Sequence, residues 1–383
     1  MNCKTRFIFV CFIIMSLTHI SSSANAGTYA MCENRTDSVL VSADGPYVLY
    51  QEDGGTRIIT VDHNGELRDT TYNVLPDNYE LPVISSNGKY SFKVPFHSIQ
   101  RPSWKYNKSR KVFVMSDPHG NIDCFVSLLK GNNVIDDNLN WRYGNNHLVI
   151  IGDIFDRGDD VVPILWLVYK LEQEALQAGG YVSFLLGNHE SMVLANDLRY
   201  CTEKYKVLAD KLGVPYAQLF GRNSELGKWL ATRNTIQIIG NDLYVHAGLS
   251  KEFYEMELSI PVVNEEMSKV LFLNKKDRKS YSVLSAFLYG NSGPIWYRGL
   301  VRSEEKYNPL TLEILELILK RYNVKKIIVG HTIFDDISTF YNGKVIDVNV
   351  NNLTNKENKK GRGIIIKNNR YKVIGDSGVQ RKM

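Results

Sequence analysis

The sequence predicts an α/β protein in which buried strands deliver polar loops to one shared site. Between residues 111 and 190, short apolar runs alternate with stretches whose apolar residues recur at helical spacing, the pattern of alternating strands and helices. Across the whole chain, five short apolar runs each lead into a loop containing His, Asp or Asn beside Gly. Because the sites of α/β sheets gather at the carboxyl ends of the strands, we expect these loops to meet.

The first 26 residues have the features of a secretory signal peptide. Lys4 and Arg6 precede an apolar stretch from Phe7 to Leu17, and a Ser-rich segment then ends in Ala24-Asn25-Ala26. This order predicts cleavage after Ala26 and export to the periplasm or the medium. The apolar stretch is too short to span a bilayer comfortably, so we expect no stable membrane insertion; an uncleaved anchor is the alternative.

The charge balance of the chain argues against a nucleic-acid partner. The chain has 46 basic and 41 acidic residues, and loss of Lys4 and Arg6 with the leader leaves 44 against 41, a formal charge of +3. Proteins that bind nucleic acid usually carry a clear basic excess. Hydrophobic residues make up 44% of the chain, enough for one large core. We therefore expect a globular protein, and the sequence leaves its oligomeric state open.

Residues 27–105 are predicted to form a small β-rich unit. Alternating segments at Tyr47 to Tyr50, Arg57 to Val61 and Tyr90 to Val94 are separated by turn signals such as Asn87-Gly88. The sequence does not indicate what this unit does.

Residues 106–383 are predicted to form the catalytic domain. Two inserts within it, 191–233 and 251–293, are mostly helical and carry scattered aromatic residues, so they are candidate walls of a substrate pocket. Residues 349–362 are rich in Asn and Lys and are predicted to form a surface loop.

The catalytic domain contains five apolar runs that we predict to be buried strands. The runs are mostly β-branched or aromatic, and most are followed closely by Gly. Helices are predicted after the first two runs, at Cys124 to Lys130 and at Val161 to Ala178. The five runs are Val112 to Met115, His147 to Ile151, Tyr181 to Leu186, Asp242 to Val245 and Lys326 to Val329.

A polar motif follows each predicted strand. Taken singly, each motif is a common turn, cap or polar pair and carries little weight. Taken together, they hold four of the eight His in the chain, in an order that one metal site requires. The motifs are Asp117-Pro118-His119, Gly152-Asp153-Ile154-Phe155-Asp156-Arg157-Gly158, Gly187-Asn188-His189-Glu190, His246-Ala247-Gly248 and Gly330-His331-Thr332.

The motifs predict a site for two metal ions. Two ions about 3.5 to 4 Å apart can clamp a phosphoryl group and hold a bridging hydroxide that attacks phosphorus. Asp153 is the candidate bridging ligand, since Gly152 before it lets the backbone come close. Asp117 and His119 lie two residues apart on one loop and are predicted to complete the first site with Asp153.

The second metal site is predicted to combine Asp153 with the amide oxygen of Asn188 and with His246 and His331. Imidazole together with carboxylate and amide oxygens suits manganese, iron or zinc, and the sequence does not choose among them. Glu190 could be a ligand by type, but as a neighbour of His189 it is expected to support the loop.

The remaining polar residues of the motifs are candidates for proton transfer and phosphate binding. If Asn188 faces the metal, its neighbour His189 can face the ester and act as the general acid. Asp156 is expected to hold the other ring nitrogen of His189. Arg157 can bind phosphate oxygens in bidentate fashion, and Arg298 in Pro294-Ile295-Trp296-Tyr297-Arg298-Gly299 is a candidate second phosphate ligand.

The set of motifs DPHG, GDIFDRG, GNHE, HAG and GHT resembles the PPP-type metallophosphatases of the calcineurin-like phosphoesterase superfamily, over roughly Val112 to Val350. The leader, the segment Asn196 to Tyr200 and the WYRG motif resemble the bacterial Shewanella-like protein phosphatases. The resemblance implies a four-layer core, with a central β-sandwich flanked by helices, and two metal ions. It also implies activity on phosphoproteins, with phosphotyrosine favoured over phosphoserine and phosphothreonine, and it supports the residue roles given above.

Two segments depart from the better-known eukaryotic members of this family. The first motif is SDPHG where those members have GDIHG, and residues 333–340 lack their SAPNY loop. The predicted ligands survive both changes. The departures leave open the Ser/Thr preference and the regulatory-subunit docking of those members.

Three functional hypotheses follow from the sequence. The first is a metal-dependent phosphoprotein phosphatase that cleaves phosphomonoesters. The second is a hydrolase of nucleoside polyphosphates or small phosphomonoesters, which the same core supports. The third is a non-catalytic binder of phosphorylated partners, which is disfavoured because no predicted ligand or acid is missing.

Overall fold

The structure is a computed structural model and describes residues 42–107 and 109–383. The predicted signal peptide, residues 1–26, and the start of the predicted N-terminal unit lie outside these residues.

The strands are short and are bounded by turns rich in Gly, Asn and Asp, as such residues favour. In chain order the strands are β1 (Asp44–Tyr50), β2 (Thr56–Val61), β3 (Leu67–Tyr72), β4 (Glu80–Ile84), β5 (Ser91–Pro95), β6 (Lys105–Tyr106), β7 (Val112–Met115), β8 (His147–Ile151), β9 (Tyr181–Leu185), β10 (Ile236–Ile239), β11 (Asp242–Val245), β12 (Lys326–Val329), β13 (Ser338–Phe340), β14 (Val345–Asp347), β15 (Gly363–Lys367), β16 (Arg370–Ile374) and β17 (Gln380–Lys382).

The helices begin at residues that can cap them. The Asn121 side chain accepts from the Cys124 N–H at 3.1 Å at the start of the first helix. In chain order the helices are α1 (Ile122–Gly131), α2 (Val161–Gln177), α3 (Asn188–Leu194), α4 (Glu203–Leu212), α5 (Glu225–Leu230), α6 (Lys251–Glu255), α7 (Ile260–Val270), α8 (Lys275–Tyr281), α9 (Val283–Leu288), α10 (Leu312–Tyr322) and α11 (Asn352–Glu357).

One six-stranded sheet carries the first three motifs. Its strand order is β17-β16-β15-β7-β8-β9. Strands β7, β8 and β9 are parallel, with Val114 paired to Val149 and Val149 to Ser183. Strand β15 is antiparallel to β7. Because β7, β8 and β9 run in the same direction, the loops that leave them emerge at the same edge of the sheet.

A second six-stranded sheet carries the last two motifs. Its strand order is β13-β14-β12-β11-β10-β6. Strands β11 and β12 are parallel neighbours, with Leu243 paired to Ile327, so the loops that follow them also emerge together.

The two sheets pack face to face. Along β7, Val112 and Val114 belong to an apolar cluster that includes Tyr244 and Ile328 of the second sheet. Their neighbours Phe113 and Met115 point to the opposite face, as strand alternation requires. The core of the fold is therefore a β-sandwich.

Helices cover both outer faces of the sandwich. The first eleven residues of helix α2 are buried, and the helix packs with α1 against the outer face of the first sheet. Helices α7 and α10 share a second apolar cluster with Leu243 and Ile327 of the other sheet. This arrangement of helices, sheet, sheet and helices confirms the predicted four-layer α/β core.

The β-rich segment before residue 96 packs on this core. Strands β1, β2 and β3 form one sheet and β4 and β5 a hairpin. Their buried residues, including Tyr47 and Leu81, join the apolar cluster of α2. The Trp166 indole N–H of α2 donates to the Pro46 carbonyl oxygen at 2.8 Å. The segment is thus in direct contact with a helix that covers the first sheet.

The observed strands agree closely with the predicted ones. Strands β7, β8, β11 and β12 have the predicted bounds, and β9 ends at Leu185, one residue earlier than predicted. Helix α1 is longer than predicted by two residues at its start and one at its end, and α2 ends one residue early. These differences lie at helix ends, where bounds are least determined by periodicity.

The prediction of a surface loop at 349–362 was correct for the exposure of much of 351–360, but it missed a short helix and the burial of both ends. Helix α11 lies within this segment, and Asn349, Asn355 and Arg362 are at most 2% exposed. The Arg362 guanidinium donates to Asp376 at 2.7 Å and to the Cys124 carbonyl at 2.7 Å. Buried polar side chains such as Asn355 and Arg362 find hydrogen-bond partners within the fold. A segment rich in Asn and Lys can therefore be less exposed than its composition suggests.

In the part of the chain described by the structure, none of the helices has the length and apolar character needed to cross a membrane.

Replacing Trp166 with Ala should lower the free energy of unfolding by about 3 to 5 kcal/mol, because it removes a fully buried aromatic ring and leaves a cavity. Urea unfolding followed by far-ultraviolet circular dichroism measures this. The control is Leu176→Ala in the same helix. Leu176 is 60% exposed, so this change should alter stability by about 0.5 kcal/mol or less. A similar small effect at both positions would contradict the packing described here.

Candidate metal centre

The ends of five strands bring the predicted ligands together. Asp117 and His119 follow β7, Asp153 follows β8, and Asn188 begins α3 after β9. His246 follows β11 and His331 follows β12 in the facing sheet. The ligands therefore come from both halves of the sandwich and meet at one end of it.

Asp153 lies at the centre of the cluster and is 1% exposed. Its Oδ2 atom is 3.2 Å from His246 Nε2, 3.8 Å from His119 Nε2 and 3.9 Å from His189 Nε2. One carboxylate oxygen thus faces three imidazole rings. This is the position that a bridging ligand would need.

Two groups of potential ligands share Asp153. One consists of His119, Asp153 and His189, and the other of Asp153, His246 and His331, with the ligand atoms in each group within 4.8 Å of one another. The second group matches the predicted second site. The first group differs from the predicted first site. It contains His189, which was predicted to be the general acid, in place of Asp117.

Asp117 and Asn188 lie at the border of these groups. Asp117 Oδ1 is 4.0 Å from His119 Nε2, and its Oδ2 accepts from the His331 backbone N–H at 3.2 Å. Asn188 Oδ1 is 2.9 Å from His246 Nε2. All six residues predicted as metal ligands are therefore in one cluster.

Backbone carbonyl groups orient two of the imidazole rings. His119 Nδ1 is 2.8 Å from the Phe155 oxygen, and His246 Nδ1 is 2.9 Å from the Ile151 oxygen. Since a carbonyl only accepts, each Nδ1 carries a proton and Nε2 faces the cluster. Such hydrogen bonds are typical of histidines that bind metals.

The electrostatics of the cluster fit bound cations. Burial opposes ionisation of Asp153, but His246, His189 and His119 outweigh it and hold the pKa of Asp153 well below its usual range. Burial alone would lower the pKa of His246, but Asp153 raises it to about 10. His331 Nε2 is buried without a hydrogen-bond partner.

Among the described residues, neither Asp117 nor Asp153 forms an ion pair with Lys or Arg. Two buried carboxylates would therefore have only imidazole groups as counter-charges, although buried charges require compensation. Burial raises the pKa of Asp117 to about 7, although His246 acts in the opposite direction. The donor set, with an unsatisfied imidazole nitrogen, fits metal ions bound between these residues.

The loops that carry the site have an unusual backbone. Six of the ten predicted site residues have a positive φ, namely Asp117, His119, Asp153, Asp156, Arg157 and His331. This region costs non-glycine residues roughly 1 to 2 kcal/mol each. Such conformations cluster at functional sites, where the surrounding structure holds them in place.

Two glycines allow the motifs to approach each other. A Cβ at Gly152, where φ is +75°, would lie 2.6 Å from His246 Nδ1. A Cβ at Gly187 would lie 2.2 Å from Asp153 Oδ1. A larger residue at either position would displace a predicted ligand, as the sequence suggested for Gly152.

The Glu190 side chain links the loops of the second and third motifs through hydrogen bonds. Its carboxylate accepts from the backbone N–H groups of Asp153 at 2.9 Å, Ile154 at 2.7 Å and Gly187 at 2.7 Å. A fourth contact, to the Phe155 N–H, is longer at 3.3 Å. Glu190 is fully buried, so it joins the second and third motifs, in keeping with the supporting role expected for it.

His189 and Asp156 form a close pair. Asp156 Oδ2 is 2.6 Å from His189 Nδ1, which leaves Nε2 directed toward Asp153. Burial lowers the pKa of His189, but the carboxylates of Asp153 and Asp156 outweigh it and raise that pKa above its usual value. The pair therefore favours a protonated imidazole beside the metal centre.

The two predicted phosphate-binding arginines occupy different environments. Arg157 is exposed, and its guanidinium lies 5.9 Å from the ring centre of Tyr200. Arg298 is half-buried and donates to Thr332 Oγ1 at 3.0 Å, so it is held beside His331. Burial lowers the pKa of Arg298, and Asp117 and Asp153 act in the opposite direction.

Sequence reasoning missed two residues near the cluster. The ring of Tyr200, 49% exposed, lies 5.2 Å from the ring of His189; the segment Asn196 to Tyr200 carries a family resemblance, but that resemblance assigns Tyr200 no role at the site. Asp347 ends β14, is 1% exposed and has a buried Oδ2 without a partner. Burial raises the pKa of Asp347 well above its usual value. The apolar run before Asp347, like those before the five motifs, could have identified it.

Replacing Glu190 with Gln should lower the free energy of unfolding by about 2 to 3 kcal/mol, because an amide NH₂ would face backbone N–H groups that now share a carboxylate. Urea unfolding in excess chelator measures this without a contribution from metal binding. Glu265→Gln, at an exposed helix position, is the matched control and should change stability by about 0.5 kcal/mol or less. Equal effects would show that Glu190 does not hold the loops.

The chain is similar to known phosphatases. Residues 110–334, more than half of the chain, match the calcineurin-like phosphoesterase family. The chain is 28% identical over 290 residues to Shewanella-like protein phosphatase 2 of Arabidopsis thaliana, which covers 64% of this chain and 72% of that protein. It is 28% identical over 224 residues to Shewanella-like protein phosphatase 1 of Plasmodium berghei, covering 58% and 61% of the two chains.

A solved structure is similar over most of the chain. The crystal structure of a cold-active protein-tyrosine phosphatase from a psychrophilic Shewanella species is 34% identical, with a TM-score of 0.79. The match covers 89% of this chain and 99% of that one. These findings confirm the family resemblance inferred from the motifs. The chain belongs to the calcineurin-like phosphoesterase family of metal-dependent phosphatases.

Proposed function

We propose that this protein is a phosphoprotein phosphatase that uses two transition-metal ions and favours phosphotyrosine over phosphoserine and phosphothreonine. The observation that carries the proposal is the arrangement around Asp153. One buried carboxylate faces three imidazoles, and one of these, His189, is paired with Asp156. Relatives named as protein phosphatases and a solved relative named as a protein-tyrosine phosphatase support the substrate class.

The proposed ligands divide into two sets that share Asp153. Asp117 and His119 complete the first set, and Asn188, His246 and His331 complete the second. The mixture of donors suits manganese, iron or zinc. When bound, such ions polarise the phosphoryl oxygens and activate water as the nucleophile.

We assign proton transfer to His189. Its Nε2 is directed into the site, while Asp156 binds Nδ1 at 2.6 Å and keeps the ring in one orientation. The same carboxylate stabilises the imidazolium form. His189 can then donate its Nε2 proton to the leaving oxygen of the ester.

We assign phosphate binding to Arg157 and Arg298. Arg157 is exposed at the mouth of the site, and the Thr332 hydroxyl holds Arg298 at the opposite motif. Two guanidinium groups match the charge of a phosphomonoester dianion better than one. Their donors can bind oxygens that take no part in bond cleavage.

Aromatic side chains near His189 support the preference for phosphotyrosine. The Tyr200 ring is half exposed beside His189, and the Trp296 ring lies 5.9 Å from the ring of His331. A phenyl leaving group that enters between them would contact aromatic surface that a serine side chain could not reach.

Chelation should abolish the activity. Because no Lys or Arg among the described residues pairs with Asp117 or Asp153, excess EDTA is expected to reduce turnover of p-nitrophenyl phosphate and of a phosphotyrosine peptide to background. Readdition of manganese, iron or zinc in separate reactions should restore it to different extents. Full activity in excess EDTA would refute the metal-dependent mechanism.

Replacing His189 with Asn should lower kcat by roughly 10²- to 10⁴-fold, the usual range for loss of a general acid. Metal content, measured by inductively coupled plasma mass spectrometry, should remain that of the parent. Loss of metal would instead identify His189 as a ligand, as its grouping with His119 and Asp153 allows.

The pH profile of Asp156→Asn tests the same pair in a second way. Asp156 helps to raise the pKa of His189, so its removal should lower that pKa and move the alkaline limb of the kcat/KM profile to lower pH, by roughly one unit or more. Asp159→Asn, at an exposed neighbouring carboxylate, is the control and should leave the profile in place. An unchanged limb in Asp156→Asn would exclude His189 as the titrating acid.

A further inference from the structure

A cavity of about 490 Å³ lies beside the candidate metal centre. One wall is formed by α3 and the loop after it, and the other by α8, α9 and the turn before Trp296. The walls therefore belong to the two helical inserts of the catalytic domain. The volume is in the range typical of ligand pockets.

The cavity borders the metal centre. Met192 lines it, and its sulfur accepts from the Asn188 amide at 3.9 Å. Trp296 also lines it, and the edge of its ring contacts His331. Two residues of the cavity wall thus lie against two proposed metal ligands, so the cavity is close to the place where the phosphate of a substrate would bind.

The cavity is strongly cationic. Lys275, Arg278 and Lys279 line one wall and Arg199 the other, against the single carboxylate of Asp197. Arg199 binds Asp197 through two contacts of 2.8 Å, so these two charges compensate each other. Within the described ranges, Lys275 and Lys279 form no ion pair, although Lys275 contributes to the field at Asp197.

Arg278 is the most unusual of these cations because it is buried. Its side chain is 5% exposed and donates to the carbonyl oxygens of Val270 and Leu271. The guanidinium lies 4.3 Å from the centre of the Tyr289 ring. No carboxylate in residues 42–107 and 109–383 forms an ion pair with it. The two carbonyls are the last of helix α7, so the negative end of that helix and the Tyr289 ring compensate the charge in place of a carboxylate. Arg278 is thus held as a fixed cation in the cavity wall.

The three cations of α8 lie close together on the helix. Residues 275, 278 and 279 are spaced by three and four, which places them on the same face of the helix. Like charges at this spacing destabilise a helix. An anion in the cavity would relieve the repulsion between the exposed Lys275 and Lys279, which lie four residues apart.

We propose that this cavity binds acidic side chains next to the phosphorylated residue of a peptide substrate. The proposal rests on the phosphoprotein phosphatase function proposed above. Lys275 and Lys279 are exposed and flexible, so they can reach Asp or Glu at more than one position, while Arg278 supplies a fixed positive field. Small residues in the walls, Ala195, Ala286 and Gly290, leave room for the peptide.

A matched pair of phosphotyrosine peptides tests the proposal. One peptide carries Asp and Glu on both sides of the phosphotyrosine, and the other carries Asn and Gln at the same positions. The parent enzyme should show a kcat/KM on the acidic peptide higher by roughly three- to tenfold, the effect expected from two partly exposed charge pairs. The ratio should approach one at an ionic strength of about 1 M, where charges are screened beyond about 3 Å.

The variant Lys275→Gln/Lys279→Gln should lose most of this preference, and Lys275→Glu/Lys279→Glu should reverse it. Both lysines are exposed, so the variants should keep the parent circular dichroism spectrum. Lys320→Gln/Lys325→Gln removes two exposed lysines that do not line the cavity and should retain the parent ratio. A parent ratio near one, or a ratio that the Lys275→Gln/Lys279→Gln change leaves intact, would overturn the proposal.

Turnover of p-nitrophenyl phosphate separates this proposal from the proposed function. If the enzyme hydrolyses p-nitrophenyl phosphate but neither peptide, the phosphoprotein phosphatase function fails and the peptide pocket fails with it. If it hydrolyses both peptides at equal kcat/KM, the function stands and only the acidic preference is refuted.

Discussion

The Asp153 carboxylate is the constraint on which the rest of the structure depends. It is buried and charged, and it is surrounded by imidazoles from three other motifs. The fold can hold such a group only because the two sheets bring the ends of five strands, and the loops that follow them, to one end of the sandwich. The helices outside each sheet fix the strands, and the strands fix the loops.

Hydrogen bonds within and between the loops then fix the positions of the proposed ligands. Glu190 binds the N–H groups of two motifs, and backbone carbonyls orient His119 and His246. The β4–β5 hairpin contributes from outside, since the Ser86 N–H and hydroxyl donate to the carboxylate of Asp160, just after the second motif. The N-terminal β-rich segment therefore helps to hold the loop that carries Asp156 and Arg157.

Much of this arrangement was predictable from the sequence, for a physical reason. Buried strands leave a local signature of consecutive apolar residues, and the polar motifs begin where these runs stop, so four of the five strands had the predicted bounds. The contacts made by Tyr200 and Arg362 could not be predicted in this way. Arg362 binds a carbonyl far away in the chain, and Tyr200 meets His189 only because the chain turns back after α3, and neither residue type nor periodicity records such contacts. The positive φ values at the site were also hidden, because Asp, His and Arg adopt them only under tertiary constraint.

The pairing of β15 with β7 has a consequence for how the protein is made. Strand β7 leads into Asp117 and His119, yet one of its two neighbours in the sheet, β15, begins only at Gly363. Until the ribosome has released β15, β7 is an edge strand with unpaired N–H and C=O groups. The first motif to be synthesised is thus among the last to have its sheet completed, and any chain that stops short of β15 lacks a finished frame for the metal centre.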